Sequence, residues 1–301
     1  MKSTIYLWFF SYLCIVINNF LFNYNHFFMK RKNRKKGFSL SKYIVIVLVA
    51  LCHLFIYNYI IQPQKDKKHD IDEPPATLKG RNELIIKHIG YITNYNPDWK
   101  IPNWVAYELT DVEVNGIIPR AKHFVPDPEV PEHLSATTND YRNSGWDRGH
   151  MAPAADMKWS ETAMKESFYL SNICPQNQKL NSGIWKDLEE HVRQLALEKG
   201  SIYVICGPIV SDNHKSIGDN KVAVPDFFFK VLMQNNNGEM YAIAFLFPNK
   251  ATDNPLMTYA LTVDELEDIT DMDFFPTLPD KVEKKMESEI DFSLWSIRRP
   301  K

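Results

Sequence analysis

Gly145 to Trp159 reads GWDRGHMAPAADMKW, and Asp147-Arg148-Gly149-His150 inside it sets an acid, a cation, a backbone-permissive glycine and an imidazole side by side. In an extended stretch residues two apart share a side, so Arg148 and His150 point the same way. A neutral imidazole can take a proton from water near pH 7. A guanidinium can grip a phosphate oxygen through paired N–H donors. Each residue alone has a plainer reading: a core histidine, and an arginine ion-paired with Asp147.

A second stretch, Phe168 to Glu190, reads FYLSNICPQNQKLNSGIWKDLEE. The spacing predicts a helix over 181–198, with Ile184, Leu188, Val192 and Leu195 forming one apolar stripe. Asn181 or Ser182 would cap its start and Gly200 would close it. Asn181, Trp185 and Glu189 follow at four-residue steps and share a face that drifts by about 40° per step. Phosphodiester hydrolysis needs a nucleophilic water, compensation of charge on the phosphoryl oxygens and stabilisation of the departing 3′ oxygen. Magnesium keeps most of its own waters, so one amide oxygen, that of Asn181, can suffice to hold it. Glu189 would then accept hydrogen bonds from metal-bound waters. The plainer readings are a capping asparagine and an exposed helix carboxylate.

Together the two stretches resemble the metal-dependent DNA/RNA non-specific endonuclease family, which carries a DRGH motif on a ββα-metal site and includes endonuclease G. The resemblance runs from about Trp104 to Phe275. Its most specific pieces are DRGH with MAPAADM, YLSNICPQ at Tyr169–Gln176 and LNSGIWKDLE at Leu180–Glu189; ICGPI around Gly207 and VAVPDFFFKV at Val222–Val231 add to it. It implies His150 as general base, Asn181 as the magnesium ligand, Arg148 and Arg120 on the phosphate and Glu189 behind the ion, with Asn172 placed among the substrate-binding residues. It also implies Mg²⁺ as cofactor with Mn²⁺ as a substitute, DNA and RNA as substrates and 5′-phosphate ends; a homodimer is left open by the sequence. Cys174 stands where the family often has Ser or Thr. Two other readings fit the residue types: a catalytically idle module that binds nucleic acid or a partner, and a metal phosphoesterase acting on small diesters.

Around this centre the chain reads as an α+β domain with a mixed, mainly antiparallel sheet and flanking helices. Short apolar runs at Tyr91–Thr93 and Trp104–Leu109, split by Asn96-Pro97-Asp98, predict two strands, and Ser201–Cys206 a buried strand ending at Gly207-Pro208. Phe227–Met233 and Met240–Phe247 read as a hairpin across Asn235-Asn236-Asn237-Gly238. Thr262 and Glu265 have capping-box spacing ahead of a short helix. Arg120 sits in a proline-punctuated loop, Ile117–Pro128.

The N-terminal part differs. Tyr43–Ile61 is a 19-residue apolar run without a charge, preceded by the basic cluster Lys30–Lys36. It reads as a transmembrane helix with the nuclease-like part anchored on the non-cytoplasmic side, or as a cleaved signal peptide. Ile5–Phe22 is either a second span or lies ahead of a start at Met29. The expected division is a membrane-anchor region at 1–61, a polar linker at 62–80 and the nuclease-like domain at 81–301. Residues 1–61 carry eight Lys and Arg and no acid, leaving 27 of the 35 basic residues against all 37 acids, a balance of −10 beyond residue 61. That counts against a broad electrostatic grip on nucleic acid; if the domain binds nucleic acid, its positive charge must be local. Four cysteines without a CxxC pair exclude a disulfide scaffold and a structural zinc ribbon.

Overall fold

The computed structural model describes Pro75, Gly80–Asn236 and Gly238–Trp295. The expected membrane segments and nearly all of the linker lie outside these residues. The first strand, β1 (Leu84–Lys87), opens a run of β2 (Ile92–Asn96), β3 (Ile101–Thr110) and a one-turn helix α1 (Asp111–Val114). After the long loop come β4 (Asp147–His150), α2 (Glu161–Glu166), β5 (Ile173–Gln176), α3 (Gln178–Ser182) and α4 (Ile184–Lys199). The C-terminal half holds β6 (Ser201–Ile209), the small pair β7 (Lys215–Ile217) and β8 (Val222–Val224), then β9 (Phe227–Asn236), β10 (Glu239–Pro248), β11 (Ala260–Leu261), α5 (Val263–Thr270) and α6 (Asp280–Ser288).

Seven strands form one antiparallel sheet in the order β1-β2-β3-β6-β9-β10-β11. Both faces are covered, which is why β3, β6 and β9 read as nearly continuous apolar runs rather than as alternating ones. One face carries Val105, Tyr107, Val204, Phe228 and Phe245 against the stripe of α4. The other carries Trp104, Ile205, Phe229 and Val231 against Val263 and Leu266 of α5 and Met286 of α6. The α4 stripe is as expected: Ile184, Leu188, Val192 and Leu195 are all buried. The capping box at Thr262 and Glu265 is also present, and the hairpin closes with Asn236 opposite Glu239.

Two boundaries differ from expectation. β6 does not stop at Gly207-Pro208: both residues stay in register with β9, opposite Phe229 and Phe228. The helix expected from Asn181 is instead two helices. Asn177 caps α3, its Oδ1 accepting from the backbone N–H of Lys179 and Leu180, and the chain breaks at Gly183 before α4. A Cβ on Gly183 would lie 2.5 Å from the Lys179 carbonyl, so only glycine permits the break. Asn181 therefore caps nothing.

Candidate active site

β4 and β5 form a separate antiparallel pair, with Gly149 opposite Cys174 and His150 opposite Ile173. The α3–α4 segment follows directly, giving a strand–strand–helix unit. Gly149 is required there: a Cβ would sit 2.1 Å from the side-chain oxygen of Gln176. The pairing is extended past His150 by Asn172, whose backbone oxygen accepts from Met151 N–H at 3.0 Å.

His150 is 8% exposed and its Nε2 has no hydrogen-bond partner. The ring is wedged between Phe124 and Phe168, at centroid distances of 5.2 and 4.9 Å. Arg148 lies over the Phe124 ring at 4.6 Å and Arg120 over the Phe168 ring at 5.0 Å. Each guanidinium thus rests on one of the two aromatic rings that hold the imidazole. Burial, then the charges of Arg120 and Arg148, pull the His150 pKa down to about 3. The imidazole is held neutral, with a free nitrogen, beside two cations that cannot accept a proton from it.

The loop that delivers Arg120 and Phe124 is anchored at its far end. Val125 donates its backbone N–H to the Phe168 carbonyl at 3.2 Å and accepts from Leu170 N–H at 3.0 Å, both in the segment before β5. Asp127 accepts from Ser171 and bonds His88 Nε2 at 2.9 Å. Burial lowers the His88 pKa, but Asp127 and Glu166 outweigh it and raise the value to about 9.

Asn181 is half-buried and its Nδ2 donates to Asp147 at 3.1 Å, tying the helix segment to the start of the DRGH strand. Glu189 lies with Trp185, Asp156, Arg193 and Lys230: burial, reinforced by Asp156 and opposed by Lys230 and Arg193, raises its pKa to about 7. Arg193 pairs with Asp156 at 2.7 Å, and the fully buried Lys230 points at the Trp185 ring, 4.3 Å from its centre. Asn172, expected to bind substrate, is fully buried. Its Oδ1 accepts from Ala152 N–H at 2.8 Å, while its Nδ2 donates to the carbonyls of Ala152 and Ser167 at 2.9 and 2.8 Å. This amide is spent on backbone. Cys174 and Cys206 are buried free thiols, and burial pushes both pKa values up, that of Cys206 to about 11.

Sequence reasoning missed Phe124 and Phe168, Lys230, and Gln176, whose amide is buried beside Gly149 with no hydrogen-bond partner on either atom. For Gln176 the signal was present in YLSNICPQ; for the two rings nothing local announces their role. A cavity of about 360 Å³ opens beside Arg148, lined by Lys122, His123 and Arg142 with Phe124 and Tyr141 and by no acid. It is the local concentration of positive charge that the acidic balance demands.

The chain matches the family model described as DNA/RNA non-specific endonuclease over residues 68–281. It is 37% identical over 230 residues to the mitochondrial nuclease EXOG of Xenopus laevis, covering 71% of this chain and 63% of that one. It is 34% identical over 217 residues to the mitochondrial endonuclease G of Homo sapiens, covering 67% and 71%. The chain spans only 56–63% of the length of the EXOG relatives it matches. Among solved structures, a crystal structure of an EndoG/EndoGI complex matches with a TM-score of 0.62 and 31% identity, covering 66% of this chain and 88% of that one. These relatives are named as mitochondrial proteins, which overturns the expected placement of a membrane-anchored domain on the non-cytoplasmic side. Among the described residues no helix is long and apolar enough to cross a membrane. With the motif, the strand–strand–helix unit and the family match in agreement, the chain belongs to the DNA/RNA non-specific endonuclease family.

Proposed function

We propose that this protein is a Mg²⁺-dependent, sugar-nonspecific endonuclease that hydrolyses DNA and RNA to 5′-phosphate ends, with Mn²⁺ as a substitute ion and a homodimer as its working form. The observation that carries this reading is His150: a neutral imidazole with an unpartnered Nε2, flanked by two arginines stacked on its aromatic neighbours.

The residues present fit a hard divalent ion. Asn181 offers an amide oxygen, its nitrogen being turned to Asp147, and Glu189 stands on α4, beyond the break at Gly183 that ends the single helix face expected to join them. Asn181 would hold the ion and Glu189 would accept hydrogen bonds from the water around it. When bound, the ion supplies positive charge for the phosphoryl oxygens and the departing 3′ oxygen.

His150 Nε2 takes the proton from the attacking water, and a low intrinsic pKa keeps that nitrogen unprotonated at neutral pH. Arg148 and Arg120 grip the scissile phosphate while their stacking on Phe124 and Phe168 fixes the guanidinium planes. Water arriving opposite the 3′ oxygen breaks the P–O3′ bond and leaves phosphate on the 5′ end. Asn172 acts by positioning: it locks Ala152, two residues past His150, to the segment before β5. None of these groups reads a base or a 2′-hydroxyl, consistent with indifference to sequence and sugar.

The purified protein is expected to nick supercoiled plasmid with Mg²⁺ and to stop on chelation. His150→Ala should keep its circular dichroism spectrum and lose about 10²–10⁴-fold in rate. Equal cutting by the variant refutes the assignment. Binding of nucleic acid with no chelator-sensitive cleavage selects the idle module, and turnover of a chromogenic small diester without plasmid cleavage selects the phosphoesterase.

A further inference from the structure

On the face of the sheet opposite α4, helices α5 and α6 pack together over β10. Their apolar sides are ordinary core: Val263, Leu266 and Met286 are buried. Their facing polar sides bring acids together. One oxygen from each of Asp264, Glu267 and Glu287 lies within 4.8 Å of the other two. Asp264 is exposed and Glu267 is half-buried, but Glu287 is 5% exposed and its Oε1 has no hydrogen-bond partner. Glu267 is oriented by the backbone N–H of Phe274, which donates to its Oε1 at 2.9 Å.

An unpartnered, buried carboxylate oxygen is costly, and costlier when its neighbours are also acids. Burial and then Glu267, Glu283, Asp264 and Asp273 push the Glu287 pKa to about 8; burial and then Asp273, Asp264 and Glu283 push that of Glu267 to about 7, the Phe274 amide opposing. Among the described residues, every charged group that shifts these two values most is itself an acid. Three carboxylates thus converge on one point, with Asp273 and Glu283 adding negative potential from nearby. Calcium takes six to eight oxygens at about 2.3–2.6 Å, so oxygens on one ion lie up to roughly 4.6–5.2 Å apart, a spread that the three oxygens here already satisfy. The open side at Asp264 leaves room for the waters needed to complete the shell.

We propose that Asp264, Glu267 and Glu287 form a calcium site that fastens α5 to α6, separate from the ion held by Asn181. Asp273 and Glu283 surround it and add negative potential without being required as ligands. Calcium bound there stabilises the fold by mass action and takes no part in phosphodiester cleavage.

Scanning calorimetry of the full chain, in EDTA and then in saturating calcium chloride, tests this. Calcium should raise Tm by on the order of 5 °C. Asp264→Asn, at an exposed position, should fold, retain Mg²⁺-dependent cleavage and lose the calcium increment. Glu287→Gln should lose the increment too. Asn181→Ala should keep the full increment. Two results overturn the proposal. In the first, calcium leaves the wild-type Tm unchanged, and the carboxyl groups share a proton instead. In the second, the increment survives Asp264→Asn and vanishes in Asn181→Ala, so that calcium acts at the other ion site.

Discussion

His150 and Asn172 illustrate how different two buried polar side chains of one site can be. The imidazole has an empty nitrogen because aromatic rings, not polar groups, hold it in place. The amide of Asn172 has no unused capacity in the direction of the substrate, since its three hydrogen bonds go to backbone. Asn172→Ala would orphan the N–H and carbonyl of Ala152 and the carbonyl of Ser167, at a cost of about 3 kcal/mol. Urea unfolding should register that loss, with kcat falling and KM little changed. A raised KM at unaltered stability would return Asn172 to the substrate. His150, Arg148 and Asn181 were legible as residues because the chemistry of each is carried by its own side chain. Phe124 and Phe168 were not, because a ring acquires its role from what a distant segment stacks on it.

At the scale of elements, the β4–β5 pair, the α3–α4 break and the Arg120 loop set the positions of these groups. Gly149→Ala would drive a methyl group into Gln176 and should destabilise the protein by about 1–3 kcal/mol, visible as a lowered Tm. The loop depends on His88 and Asp127. The folded pKa of His88, about 9, lies above its unfolded value near 6.5. The charged pair therefore stabilises the fold fully below pH 6.5, and its contribution fades as pH rises from there through 9. The stability difference between the wild type and His88→Gln should shrink over that window, starting from on the order of 2–3 kcal/mol. A difference independent of pH would mean that His88 stays neutral in the fold. Strands β2, β3, β6, β9 and β10 and helices α4 and α5 followed from periodicity and turn residues, whereas β1, β7, β8 and α6 carried no such signal. The split at Gly183 did not, because its cause is the nearby Lys179 carbonyl, a contact that exists only once the chain has turned.

For the molecule as a whole, charge placement matters more than charge total. The balance of −10 beyond residue 61 argues against a broad basic surface, and the cavity beside Arg148 concentrates Lys122, His123 and Arg142 where a polyanion would lie. Joint Lys122→Ala and Arg142→Ala substitution should flatten the slope of log binding constant against log salt by roughly 1.5–2 and raise KM for plasmid. Cleavage of a small diester should be unaffected. An unchanged slope would place the nucleic acid elsewhere.

Sequence alone determined the family, the α+β class and the apolar stripe of α4, and it singled out His150, Arg148, Arg120 and Asn181 as the candidate site residues. Motif and periodicity are local and survive without knowledge of the fold. Tertiary structure decided what surrounds those groups: the rings that isolate His150, the backbone that occupies Asn172, the ion pair beneath Glu189 and the acids gathered between α5 and α6. Burial and the approach of charges from distant segments set hydrogen-bond vacancy and pKa, and neither quantity exists until the chain has packed.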